Sequence, residues 1–114
     1  MIYSILISVA MFFFGSIIAH TNDVDQTQKT EFIVYGNCDM CEARIEKAAN
    51  VDGVKSADWD KSTKMLTVEY DTEIVELKTI HESIAAAGHD TELAKASDSV
   101  YAKLPMCCKY DRPE

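Results

Sequence analysis

No side chain between Ile2 and Ala19 carries a charge, and the run holds Ile2, Ile5, Leu6, Ile7, Val9, Phe12, Phe13, Phe14, Ile17 and Ile18. It has no polar face, so it cannot be one side of an amphipathic helix; any folded module must come from the residues after it. The run exceeds the roughly 7–15 residues of a signal-peptide core and approaches the roughly 18 of a membrane span. Residues 1–19 are therefore read as a signal peptide or a membrane anchor. Ala19 offers a small residue for cleavage, although Ile17 is a poor partner two positions earlier and no Lys or Arg precedes the run. Cleavage is the preferred outcome. Asp23, Asp25 and Glu31 come next, in a flank short of basic residues, which is the kind of flank that crosses a membrane. The expected location is periplasmic or secreted, with a tether through residues 2–19 if the leader is kept.

The chain has 114 residues, enough for one small domain, and 11 Lys+Arg against 19 Asp+Glu give it a formal charge of −8. That balance argues against nucleic acid and against anionic lipid surfaces, both of which are held by surplus Lys and Arg. Hydrophobic residues make up 47%, with only 2 Pro and 4 Gly, so the chain is expected to fold. Four Cys in so short a sequence are its most chemical feature.

Residues 20–30 (HTNDVDQTQKT) are polar and read as a linker. Glu31 to Tyr35 is β-branched and aromatic and reads as a strand ending at Gly36. Cys41, Ile45, Ala48 and Ala49 share one helical face, which predicts a short amphipathic helix opened by Cys41. Val54 to Trp59 and the alternating Leu66, Val68 and Tyr70 predict a hairpin across the Asp60–Thr63 turn cluster. Leu77, Ile80 and Ile84 predict a second helix over 74–87, stopped by Gly88, and 89–94 reads as a final strand. The order strand, helix, strand, strand, helix, strand over residues 31–94 predicts an α+β fold, the ferredoxin-like split βαβ (βαββαβ) sandwich.

Cys38-Asp39-Met40-Cys41 places two thiols at the start of the first helix. Two intervening residues let both sulfurs converge on one ion. The partial positive charge of a helix N-terminus favours thiolates, the form that ligates soft metals. Asp39 could add an oxygen donor suited to Zn(II), but a favourable charge at the helix start is the preferred reading. Met40 is open to packing inward or facing solvent.

Residues Gly36 to Glu46 (GNCDMCEARIE), with Val51-Asp52-Gly53-Val54 and Ala87-Gly88-His89-Asp90 further on, resemble the heavy-metal-associated domain. That family includes copper chaperones, domains of metal-transporting ATPases and the periplasmic mercury-binding protein. The resemblance covers residues 31–94. It implies that Cys38 and Cys41 bind the ion, commonly Cu(I) between two thiolates, and pass it to a partner by ligand exchange. It also places His89 beside the metal loop as a third ligand or an electrostatic neighbour. The sequence departs from the family where Gly36 replaces the usual Met and Tyr35 the usual Gly. His81 reads as a packing residue.

Residues 95–114 form an extension too apolar for a free tail, expected to fold back through Tyr101 and Leu104. Its Cys107 and Cys108 are candidate ligands, with one better placed than both because neighbours in an extended chain point differently. Disulfides are the competing use of all four thiols. The resulting reading is a monomeric carrier or scavenger and not an enzyme. Its cargo is Cu(I), with Zn(II) or Hg(II) as alternatives, and its expected partner is a metal-transporting membrane protein or efflux system. A thiol-disulfide oxidoreductase and a disulfide-stabilised interaction domain are the competing readings.

Overall fold

The computed structural model describes residues 26–114. The leader of residues 1–19 and the first part of the 20–30 linker lie outside them. Among the described residues no helix is long and apolar enough to cross a membrane.

Strand β1 (Thr27–Ile33) leads into helix α1 (Asp39–Ala49), then β2 (Val54–Trp59), β3 (Met65–Asp71) and helix α2 (Leu77–Ala86). The three strands form one antiparallel sheet in the order β1-β3-β2. The central strand β3 alternates, burying Leu66, Val68 and Tyr70, as a sheet with one covered face requires. Register sets Phe32 and Trp59 on either side of Leu66, and Thr30 and Ala57 on either side of Val68. Cys41, Ile45 and Ala49 of α1 and Ile80 and Ile84 of α2 complete the same core. This is the ferredoxin-like fold expected from the sequence.

Three local expectations need correction. The linker does not extend to residue 30, because β1 already begins at Thr27 and pairs with β3 there. Its polar residues suit an edge strand whose outer end faces solvent. Helix α2 starts at Leu77 instead of residue 74: the Asp71 carbonyl takes the N–H groups of Ile74 and Val75, and its side chain takes that of Glu73, closing a turn. The last strand is reduced to a single bridge between Val34 and Thr91. The Thr91 hydroxyl accepts from the N–H groups of Leu93 and Ala94, which turns the chain out of the sheet.

The extension folds back as a short helix α3 (Asp98–Ala102), capped by the Ser97 hydroxyl, and a 3₁₀ turn over Met106–Cys108. Leu104 is buried and Tyr101 half-buried. Leu104 sits over Gly88, where a Cβ would come within 2.9 Å of it and where φ is +109°. Only glycine meets both demands. Cys108 and Tyr110 are buried in the main core as well. The Tyr110 hydroxyl donates to the Gly88 carbonyl at 2.7 Å and accepts from the Asp90 N–H at 2.8 Å. Arg112 grips the buried Asp90 carboxylate through Nε at 2.8 Å and Nη2 at 2.9 Å, and reaches Asp98 through Nη1. A forked, two-point pair of this kind fixes orientation as well as distance.

Candidate metal centre

Cys38 is the N-cap of α1 and Cys41 lies three residues on, so the helix opens one residue after the first thiol, not at the second. No side chain caps this helix, which leaves its first N–H groups directed toward sulfur. The backbone at Cys41 favours the charged form of the Cys38 sulfur, and that at Asn37 the charged form of the Cys41 sulfur. Gly36 is essential to this approach. A Cβ there would stand 3.1 Å from Cys41 Cβ, 3.1 Å from Trp59 Cη2 and 3.2 Å from Ile45 Cδ1. Trp59, held by its indole N–H on the Val34 carbonyl at 3.0 Å, fills the space beside Gly36. This is the position where the family usually carries Met.

The 3₁₀ turn then delivers a third sulfur. Cys38 Sγ lies 3.3 Å from Cys41 Sγ and 3.3 Å from Cys108 Sγ, and all three sulfurs are within 4.8 Å of one another. Each is a free thiol. Arg44 Nη1 donates to Cys108 Sγ at 3.2 Å, which sets a fixed positive charge beside the cluster. Of the two tail cysteines only Cys108 joins. Cys107 is exposed at the rim, 3.9 Å from Cys108 Sγ.

The thiols are not alike. Burial by itself would raise Cys38, but the Cys41 N–H and the surrounding thiols outweigh it and bring its pKa from 9.0 down to about 6. Burial pushes Cys41 up to about 11, with the Cys108 and Cys38 thiols adding to the rise. Cys108 is raised too, first by burial, although Arg44 and Cys41 oppose this. The free cluster at neutral pH is thus one thiolate, Cys38, beside two thiols.

His89, expected beside the thiols, is not in the sulfur group. It is fully buried, with Nδ1 on the Tyr35 carbonyl at 2.7 Å and its ring stacked on Tyr110. Its ring packs on Tyr110 of the returning tail, while Nδ1 holds the backbone of Tyr35, the residue that leads into the metal loop. Asp39 pairs with Lys61 at 3.0 Å, outside the cluster. His81 is buried, its ring tilted against Phe32 at 3.8 Å and bonded to the Thr91 hydroxyl. A separate carboxylate group, Glu42, Glu46 and Asp58, offers only hard oxygen donors. Arg44 carries no signal of its own in the sequence, yet its place three residues after Cys41 on α1 puts it on the same side of the helix one turn later.

The heavy-metal-associated domain profile matches residues 36–90, and the fold is shared with a CopZ metallochaperone at 30% identity and TM-score 0.54, over 56% of this chain and 98% of that one. The chain belongs to the heavy-metal-associated domain family. The N-terminal domain of a potential copper-translocating P-type ATPase from Bacillus subtilis, solved in its Cu(I)-loaded state, is 32% identical with TM-score 0.56, over 65% of this chain and 95% of that one. Oxidized MerP from Ralstonia metallidurans CH34 is 25% identical with TM-score 0.55, over 60% of this chain and 99% of that one. No protein of curated function matches the chain. The extension with Cys107 and Cys108 lies beyond the matched residues.

Proposed function

We propose that this protein binds one soft metal ion, Cu(I) in preference to Zn(II) or Hg(II), on Cys38, Cys41 and Cys108 and passes it to a metal-transporting membrane protein. The convergence of the three sulfurs, two of them 3.3 Å from Cys38, carries this reading. An ion on two thiolates in line needs sulfurs about 4.6 Å apart, whereas three around one ion need only about 4.0 Å, taking metal–sulfur bonds of about 2.3 Å. The compact cluster is nearer the three-sulfur arrangement. Likeness to a metallochaperone and to a copper-translocating ATPase domain supports the preference for Cu(I) and for a transporter as recipient.

Transfer follows from coordination chemistry. An ion with three ligands has room for an incoming thiolate before an old one leaves, and Cys38, the most acidic thiol at the helix start, is both the first donor available and the first to be exchanged. The acidic surface suits a recipient with a basic docking face. Export by the uncharged leader would place this activity outside the cytoplasm, in a periplasmic or secreted protein, cleaved or tethered.

The test is competition between reduced protein and a chromophoric Cu(I) chelator under anaerobic conditions. Wild type should strip the chelator, and the Cys38→Ser, Cys41→Ser double variant should bind more than about a hundredfold more weakly. Equal affinity would refute the proposal.

A further inference from the structure

The soft donors continue past the three clustered thiols. Cys107 Sγ lies 3.6 Å from Met40 Sδ and 3.9 Å from Cys108 Sγ, so a thiol and a thioether stand together on the outer side of Cys108. Met40 is 53% exposed and Met106, in the same turn as Cys107, is 85% exposed. Methionine is ordinarily buried for its apolar surface. Here Met40 is spent on α1 beside a thiol of the tail, where packing gains little from it.

We infer that Cys107 and Met40, with Cys108 as a shared thiolate, form an outer site for a second Cu(I) ion. This rests on the reading that the inner cluster takes the first. Thiolate and thioether sulfurs select Cu(I), while Zn(II) prefers thiolate, imidazole and carboxylate. The outer pair therefore discriminates between ions in a way the inner thiols alone do not. Its charge balances: the second ion adds one positive charge, and Cys107 releases its proton to solvent and adds one negative. The net charge facing Arg44 and the helix N-terminus is unchanged. The Cys108 sulfur would bridge both ions, with Arg44 bonding to it from the protein side. Because the outer donors are exposed and one is a neutral thioether, the second ion is the weaker bound and the first to leave. A partner meets it first, ahead of the inner ion.

The experiment is an anaerobic Cu(I) titration of the reduced full chain in mild detergent, read by native mass spectrometry and by chelator competition, beside Met40→Leu and Cys107→Ser. Both substitutions are at exposed positions, and neither residue belongs to the inner cluster. Wild-type monomer should carry two Cu(I), each variant one, with the inner affinity unchanged within about threefold. A parallel Zn(II) titration should reach one equivalent in all three proteins. Saturation of wild type at one Cu(I), a second equivalent that survives in both variants, or a second ion found only at the mass of a dimer would overturn the outer site while leaving the inner one intact. Binding of no Cu(I) at all would remove both proposals, and is distinguished from the others by its stoichiometry of zero.

Discussion

Replacing Cys108 by Ser should alter the pH dependence of ion uptake, because only deprotonated sulfurs ligate and each thiol that does so gives up a proton. Cys38, at about 6, is already a thiolate above neutrality. Cys41, at about 11, and Cys108, raised by burial, still carry their protons there. One ion bound by all three sulfurs therefore releases two protons between about pH 7 and pH 8.5, and its apparent affinity rises about a hundredfold per pH unit, equal to about 2.7 kcal/mol. Without Cys108 a single proton leaves, and the rise is about tenfold, or about 1.4 kcal/mol. The sign is fixed: affinity grows with pH. Chelator competition across this range, limited to one equivalent of Cu(I) and corrected for the chelator's own protonation, gives the slope. Calorimetry in buffers of different ionisation enthalpy counts the protons directly. A wild-type slope of one, or equal slopes for wild type and Cys108→Ser, would refute participation of the third sulfur.

Tyr110→Phe removes a hydroxyl that serves two buried backbone groups, the Gly88 carbonyl and the Asp90 N–H. Urea unfolding should show a loss of about 2–4 kcal/mol, and a change below about 0.5 kcal/mol would mean that the tail is not held this way. Gly36→Ala forces a methyl group against Cys41, Trp59 and Ile45; a cost of about 1–3 kcal/mol is expected, with weaker ion binding as Cys41 is displaced, and an unchanged melting temperature would contradict it. Burial lowers the pKa of both His81 and His89. The unfolded chain therefore takes up protons that the folded one resists, and stability should be complete above about pH 6.5 and fall on acidification below it. Asp90, which burial would raise, is instead held below its ordinary value by Arg112. A second loss should follow below about pH 4 as that carboxylate is protonated. Thermal melts of metal-free protein from neutral to acid pH would show both steps, and a flat profile would count against the two buried histidines.

The hairpin, both helices and the thiol pair were legible from local pattern, since alternation in β3, helical spacing in α1 and α2 and two cysteines ahead of an apolar face each act within a few residues. Misjudged boundaries have local polar causes as well. Asp71 and Thr91 each turn the chain with their own hydrogen bonds, and the polar start of β1 is paired only because β3 lies beside it. The choice of Cys108 over Cys107 and the surroundings of His89 have a different origin. The 3.3 Å between Cys38 and Cys108 spans seventy positions of sequence, and the ring beside His89 arrives from the same distant tail.

By itself the amino-acid order determined the fold class and the paired thiols at a helix start, because periodicity and spacing are properties of neighbouring residues. Only the tertiary structure decided which tail sulfur completes the cluster and that His89 stands outside it. That choice is made by the Tyr110 hydroxyl and the Arg112–Asp90 pair clamping the tail across Gly88, and contacts between remote segments leave no mark in local pattern.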